Sequence, residues 1–447
     1  MLLVYKNLIS NIKSLSFFVL IISLCYSVFA NYPHNWGDPF IYLQSGNNYD
    51  FTLLRSPGYP IFLKLFSINF NFIYLTTIFQ IIFFLITAVI LENEINKFHN
   101  KSYLIFLFLA LPDITYLQTL MFPDGLILSF MCLYFVFMIK KKFNYLLLIS
   151  FILFLLKSYL VFLIIFSIII YLEKKYLFFN KYKFKYFFTI IFPIIFYVIL
   201  PINLVQPFYT KFKNENLIID FKKKCNQEII ILSREDILDG FLSKNHINLS
   251  GNIITKNIDN DCKKSFENSF SRSIINSIIF NNYKEVSFNI GKNFISSFSG
   301  TGVQDHITSM INHNLIMKID LIKSNKIEIL DYPLHKKVLK DDIHIYLLNT
   351  NTLPDKFNLL HIFINKFQYV ISIIITFLML FYFFKNKNVK ILQNLFAINL
   401  NFAIMHSIFP IVLADRHVFY IIILNILIIL LSNSSEKTND QIFKFKK

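Results

Sequence analysis

One recurrence limits what this chain can fold into. Uncharged apolar runs of bilayer-crossing length keep reappearing, and short lysine clusters fall between them. A helix needs about 20 apolar residues to span a membrane, because lipid offers the backbone no hydrogen-bond partners. Composition agrees: 55% of the 447 residues are hydrophobic and 18% aromatic, with mean hydropathy +0.53. Ordinary globular chains hold about 45–50% apolar residues. The net charge of +17 is carried by lysines between the runs, as expected of cytoplasmic loops, and no motif supports nucleic-acid binding.

Taken in order, Lys6 and Lys13 keep the N-terminus cytoplasmic before a first span at Ser14–Ala30. Its exit, Val28–Pro33, could serve as a weak signal-peptide cleavage site, but an uncleaved span keeps the following loop tethered. Asn31–Pro60 is then an outer loop, Tyr59–Phe70 an interfacial helix, and Phe72–Leu91 an inward span. Glu92–Lys101 turns in the cytoplasm, Ser102–Leu120 goes out, and Leu126–Ile139 returns to Lys140-Lys141-Lys142.

Phe143–Tyr171 is apolar except for Lys157-Ser158 at its centre. A straight helix would hold that lysine at mid-bilayer, costing about 2.5–3.5 kcal/mol. Two short spans with an outer turn at Lys157 avoid this. Tyr186–Ile202 crosses outward, and Asn203–Lys366 is one long polar outer region. Phe367–Phe384, Ile391–Phe409 and Val418–Leu431 complete about ten spans.

The predicted fold is an all-α polytopic membrane protein of about ten transmembrane helices with a periplasmic α or α+β domain. Its divisions are a transmembrane module at 1–202, with the outer loop 31–60; the outer domain at 203–366; transmembrane helices at 367–432; and a cytoplasmic tail at 433–447.

That topology puts the unusual charges on one side. The stretch Asn35–Lys64 holds the sole tryptophan, Trp36, beside Asp38, and then Arg55-Ser56-Pro57-Gly58-Tyr59-Pro60. Asp113, Asp124, Lys157, Asp415, Arg416 and His417 fall in other outer turns. Ionisable groups at membrane depth are expensive and tend to mark sites. Asp38 could cap a helix or act as a general base; Asp124 after Pro123, and Asp113 after Pro112, have N-cap chemistry or could hold a cation or orient an acceptor. Only four arginines occur, and Arg55 and Arg416 both sit at the outer rim, where guanidinium suits bidentate phosphate binding or head-group snorkelling. His417 reads better as a polar interface residue.

Cys25 and Cys132 lie in apolar spans and read as small buried hydrophobes. Cys225 and Cys262 share the outer domain and could form a disulfide in an oxidising compartment. No GxGxxG, P-loop, HExxH or GxSxG pattern is present, so a donor would have to arrive activated through the bilayer.

An acid after the first span, an aromatic four residues on (Asp38…Tyr42), and Arg55–Pro60 before an apolar run resemble the GT-C class of membrane glycosyltransferases. The likeness is closest to the bacterial branch related to protein mannosyltransferases and the aminoarabinose transferase of lipid A. Pro123-Asp124, the Lys157 turn and the Arg416 turn are also similar; Ser273–Gly302 is compatible. The resemblance implies inverting transfer of a sugar from a polyprenyl-phosphate donor to a lipid, glycan or protein acceptor at the periplasmic face of a bacterial inner membrane. It makes Asp38 the catalytic base or metal-associated carboxylate and Asp124 or Asp113 the second acid. Arg55, Lys157 and Arg416 become donor-phosphate ligands, and Trp36, Tyr42 and Tyr59 line or anchor the site. Some relatives carry two adjacent acids where Pro39 follows Asp38 here, so use of a divalent metal ion stays open. A transporter or flippase of lipid-linked sugars, or a polymerase or ligase of lipid-linked glycans, is the competing expectation.

Overall fold

A computed structural model describes residues 2–31, 42, 45–46, 49, 56–69, 72, 74–119, 122–175, 187–189, 191–192, 218–220, 228–231, 249–250, 253–254, 283–299, 354–386, 389–408 and 418–438. These residues are mostly helical. Contacts divide the chain into two units, Met1–Thr189 with Phe298–Phe402 and Asp415–Lys447, and Ile190–Ser297 with Ala403–Ala414.

The first unit begins with α1 (Leu2–Asn31), the short α2 (Gly58–Phe66) and α3 (Tyr74–Asn96). The expected span Ser102–Leu120 is two helices instead, α4 (Leu104–Leu109) and α5 (Pro112–Thr119). Proline explains the break: Pro112 has no N–H to continue the ladder, and its ring crowds the preceding turn. The Ile114 N–H bonds Leu111 O at 2.9 Å, and the Ala110 carbonyl accepts the Ser23 hydroxyl from α1 at 2.7 Å. Thr115 on α5 extends this seam, 3.1 Å from Ser23 and 2.8 Å from Ser27 between hydroxyl oxygens.

α6 (Pro123–Ile139) follows, parallel to α3. At one end of the pair Gln80 meets the start of α6; at the other Lys140 bonds Glu94 at 3.3 Å. Glu94 also takes Lys97 at 2.7 Å, and the fully buried Glu92 pairs with Lys13 and accepts the Ser102 hydroxyl at 2.6 Å. Lysines from three separate sequence clusters therefore gather at one end of the helices.

α7 (Phe143–Leu156) and α8 (Val161–Lys175) form a hairpin. Lys157 is extended, at φ −148° and ψ 121°, and Ser158–Leu160 makes one 3-10 turn. Ser150 and Ser167 meet at 3.4 Å, and the rings of Phe143 and Tyr171 at 5.9 Å, so the two helices lie antiparallel with Lys157 at the tip. A reversal there removes the lysine from the middle of an apolar helix, as the sequence argument required.

α10 (Pro354–Lys385), α11 (Lys390–Ile408) and α12 (Val418–Thr438) are joined by a polar seam. Asn399 Nδ2 donates to Asn425 Oδ1 at 2.5 Å, and Asn425 Nδ2 to Thr376 Oγ1 at 3.1 Å.

In this unit polar side chains are buried within an apolar core while many large apolar side chains are exposed. Gln80, Thr87, Asp124, Ser129, Ser150, Asn399 and Asn425 are buried, whereas Leu15, Phe18 and Ile22 on α1, Ile78, Ile82 and Ile86 on α3, and Ile374, Phe377 and Phe381 on α10 are exposed. Cys25, expected as a buried hydrophobe, belongs to that outer surface, because its position follows Phe18 and Ile22 around α1; Cys132 is buried. Among the described residues, two segments, Ser10–Val28 and Tyr74–Asn96, are long and apolar enough to cross a membrane, and shorter apolar helices accompany them.

The second unit contributes a small antiparallel sheet, β1 (Ile218–Asp220), β2 (Glu228–Ile231), β3 (Leu249–Ser250) and β4 (Ile253–Ile254), in the order β1-β2-β4-β3. Ile218 pairs with Ile230, and Ile230 with Ile254. Most of α9 (Tyr283–Ser299) lies in this unit, within the stretch that reads as a helix-like run in the sequence.

Candidate functional site

The site assembles at the end of the helices opposite the lysine cluster. α6 has 17 residues, so its two ends are separated by about 24 Å. Pro123 opens α6 with no N–H to lose, and Asp124 follows in the first turn, where a carboxylate favours the helix dipole. Lys157 Nζ, from the tip of the α7–α8 hairpin, reaches Asp124 Oδ1 at 3.1 Å. Asp124 is completely buried and Lys157 nearly so, which makes each the other's compensating charge.

Aromatic groups close around this pair. Lys157 Nζ lies 5.7 Å from the ring centroid of Tyr159, within cation–π range. Tyr59, on α2, meets Tyr42 edge to face at 5.3 Å, and both are buried. Burial holds the Tyr59 phenol well above its ordinary pKa of 10.0, and the adjacent Tyr42 and Asp124 push it the same way. Tyr59 is thus a neutral hydroxyl beside the ion pair.

Two glycines permit this geometry. A β-carbon at Gly58 would come within 2.6 Å of the Leu155 carbonyl oxygen, so α2 sits directly on the last turn of α7. A β-carbon at Gly125 would strike Gln80 Nε2 at 2.2 Å and Leu117 O at 2.7 Å. Gln80 donates to the carbonyls of Leu117 and Gln118 at 3.3 and 3.2 Å, and so caps the end of α5 from a neighbouring helix. The Gln118 side-chain amide is buried with no hydrogen-bond partner on either atom.

Of the residues singled out from sequence, the structure brings Tyr42, Tyr59, Asp124 and Lys157 together. Asp113 is the second residue of α5, and only its backbone is described. Trp36, Asp38, Arg55, Asp415, Arg416, His417, Cys225 and Cys262 lie outside the described residues. Tyr159, Gln80 and Gln118 escaped the sequence argument. A glutamine in the apolar run Tyr74–Leu91 was the signal available for Gln80, since amides at membrane depth are costly.

Among the described residues, no group of three histidine, cysteine, aspartate or glutamate side chains comes together, and Asp124 takes Lys157 as its cation. No family model, curated protein or solved structure matches the chain.

Proposed function

We propose that the chain is an integral membrane glycosyltransferase of the GT-C type. It moves a sugar, with inversion, from a polyprenyl-phosphate donor to a lipid, glycan or protein acceptor on the outer face of a bacterial inner membrane. One observation carries the membrane part of this reading: large apolar side chains line the outer faces of α1, α3 and α10, where a water-soluble bundle carries polar ones, while polar groups are buried within the core. In this reading the shorter apolar helices join α1 and α3 in a set of about ten spans, and the end holding Lys13, Lys97 and Lys140 is cytoplasmic. The Asp124–Lys157 end then faces the periplasm, where a lipid-linked donor replaces a soluble nucleotide sugar.

In the reaction the acceptor hydroxyl oxygen attacks the anomeric carbon as the carbon–oxygen bond to phosphate breaks. Asp38 takes the hydroxyl proton, and the polyprenyl phosphate leaves with the bonding electrons, its charge met by Arg55 and Arg416. Asp124 and Lys157 act as a fixed pair that sets the hairpin tip and Tyr59 around the donor. No step is routed through a metal. Purified protein should transfer label from a polyprenyl-phosphate sugar to an envelope acceptor, and Asp38→Asn should abolish transfer while the protein stays folded. Full activity in that variant removes Asp38 from the mechanism.

A second reading, a transporter or flippase for a lipid-linked sugar, draws on the helix breaks at Ala110–Pro112 and Lys157, since transporters place sites at interrupted helices. Movement of a labelled donor across vesicles without any sugar transfer would favour it.

A further inference from the structure

The aromatic contacts that begin at Tyr59 do not end at the ion pair. Tyr59 stacks on Phe62 at 5.8 Å, Phe62 lies against Phe66 at 4.7 Å, and Phe66 against Phe79 at 4.0 Å. Phe79 then stacks on Phe83 at 6.2 Å, and Phe83 meets Phe130 at 4.9 Å. The result is one continuous ribbon of rings across α2, α3 and α6. Its first members are buried beside the site, while Phe66 and Phe79 are 36% and 37% exposed even though each covers the other.

The ribbon also has a direction. Phe130 is six residues beyond Asp124 on α6, about 9 Å along the axis towards the lysine-rich end. It therefore starts at the charged mouth and descends along the apolar surface. Lys64, on the same short helix as Tyr59, stands at 2.8 Å from the Tyr49 hydroxyl and adds a cation near the upper end. Exposed phenylalanines on α10 also face outward, but no buried acid–base pair is described at the end of that row.

We propose that this ribbon is the track for the isoprenoid chain of a lipid phosphate, holding the chain on Phe66, Phe79 and Phe83 with its anionic head at the Lys157 end. The proposal rests on the reading of a lipid-linked donor and names where its tail lies. A single methyl-branched chain can lay successive CH groups on successive ring faces and edges, gaining dispersion contact at each, whereas the two straight chains of a bulk phospholipid fit a narrow row less well. The step is binding alone, so no bond is made or broken.

The test uses the full chain in nanodiscs with a benzophenone-bearing farnesyl phosphate as probe, followed by irradiation and peptide mapping. Labelling is expected on the peptides of Ile61–Phe83, with suppression by undecaprenyl phosphate and not by dioleoyl phosphatidic acid. Phe66→Ala combined with Phe79→Ala should cut that labelling by about fivefold or more. Phe377→Ala combined with Phe381→Ala, on the outer face of α10, should leave it unchanged. Should the first pair fail to fold, Phe66→Leu with Phe79→Leu keeps the apolar volume, removes the rings, and should lower labelling in the same direction. Equal labelling of α10, equal competition by phosphatidic acid, or no labelling of the ribbon overturns the track. Ribbon labelling without sugar transfer keeps the track and rejects the glycosyltransferase; sugar transfer without ribbon labelling does the reverse.

Discussion

Gly58 stands so close to the backbone of Leu155 that a β-carbon on it would lie 2.6 Å from the Leu155 carbonyl oxygen. This contact seats the start of α2 on the final turn of α7, two residues before Lys157. It links α2 to the hairpin tip that carries the buried cation. The glycine is needed for the closeness of approach.

Gly58→Ala should therefore force α2 off the hairpin, with a loss of about 1–3 kcal/mol. Gly291→Ala supplies the contrast: nothing lies within 4 Å of its β-carbon position, in the middle of α9. That change should stabilise its helix by about 0.5–1 kcal/mol. Thermal unfolding of both variants in the same detergent checks the two signs.

Breaking the ion pair from one side should be worse than removing it altogether. Asp124→Asn or Lys157→Met alone leaves a buried charge without its counter-ion and should destabilise by about 3–5 kcal/mol. The double variant should recover much of that loss. A double-mutant cycle measured by unfolding gives the coupling, and strictly additive losses would show that the two charges act independently.

Tyr59 predicts a pH dependence at the alkaline end. Its folded pKa lies above the ordinary value of 10.0, chiefly through burial. Above pH 10 the unfolded chain loses this proton while the folded chain keeps it, so the unfolded state binds fewer protons and stability falls as pH rises. Tyr59→Phe, which retains the ring against Tyr42 and Phe62, should flatten that part of the stability curve. Unfolding midpoints from pH 9 to 11 would show it.

Gln118 places a whole amide in the interior with no partner on either end. An unmade buried hydrogen bond costs about 1–3 kcal/mol, so Gln118→Leu should raise stability by about 1 kcal/mol, read as an upward shift in melting temperature. A fall instead would mean that the amide supports the corner between α5 and α6. Gln80→Leu should fall, because its amide does bond the carbonyls of Leu117 and Gln118.

Legibility differed by element. The hairpin at Phe143–Tyr171 could be read, because one lysine in the centre of an apolar run leaves a chain few inexpensive paths. The break at Pro112 was equally local, yet the apolar residues on both sides disguised it as a single span. Asp124 and Tyr59 were legible as candidates at a helix start and in a proline-rich turn. Their surroundings were not: nothing local ties Gln80 to Asp124, and Tyr159 looks like an ordinary member of an apolar segment.

By itself, then, the sequence determined the helical character and the gathering of lysines from separate clusters at one end. Each follows from composition and spacing over a few turns of chain. Only the tertiary structure decided that Lys157 spends its charge on Asp124, 33 residues away. The physical reason is packing at close range. With no side chain at Gly58 or Gly125, three helices approach until a single buried carboxylate lies within reach of the hairpin tip.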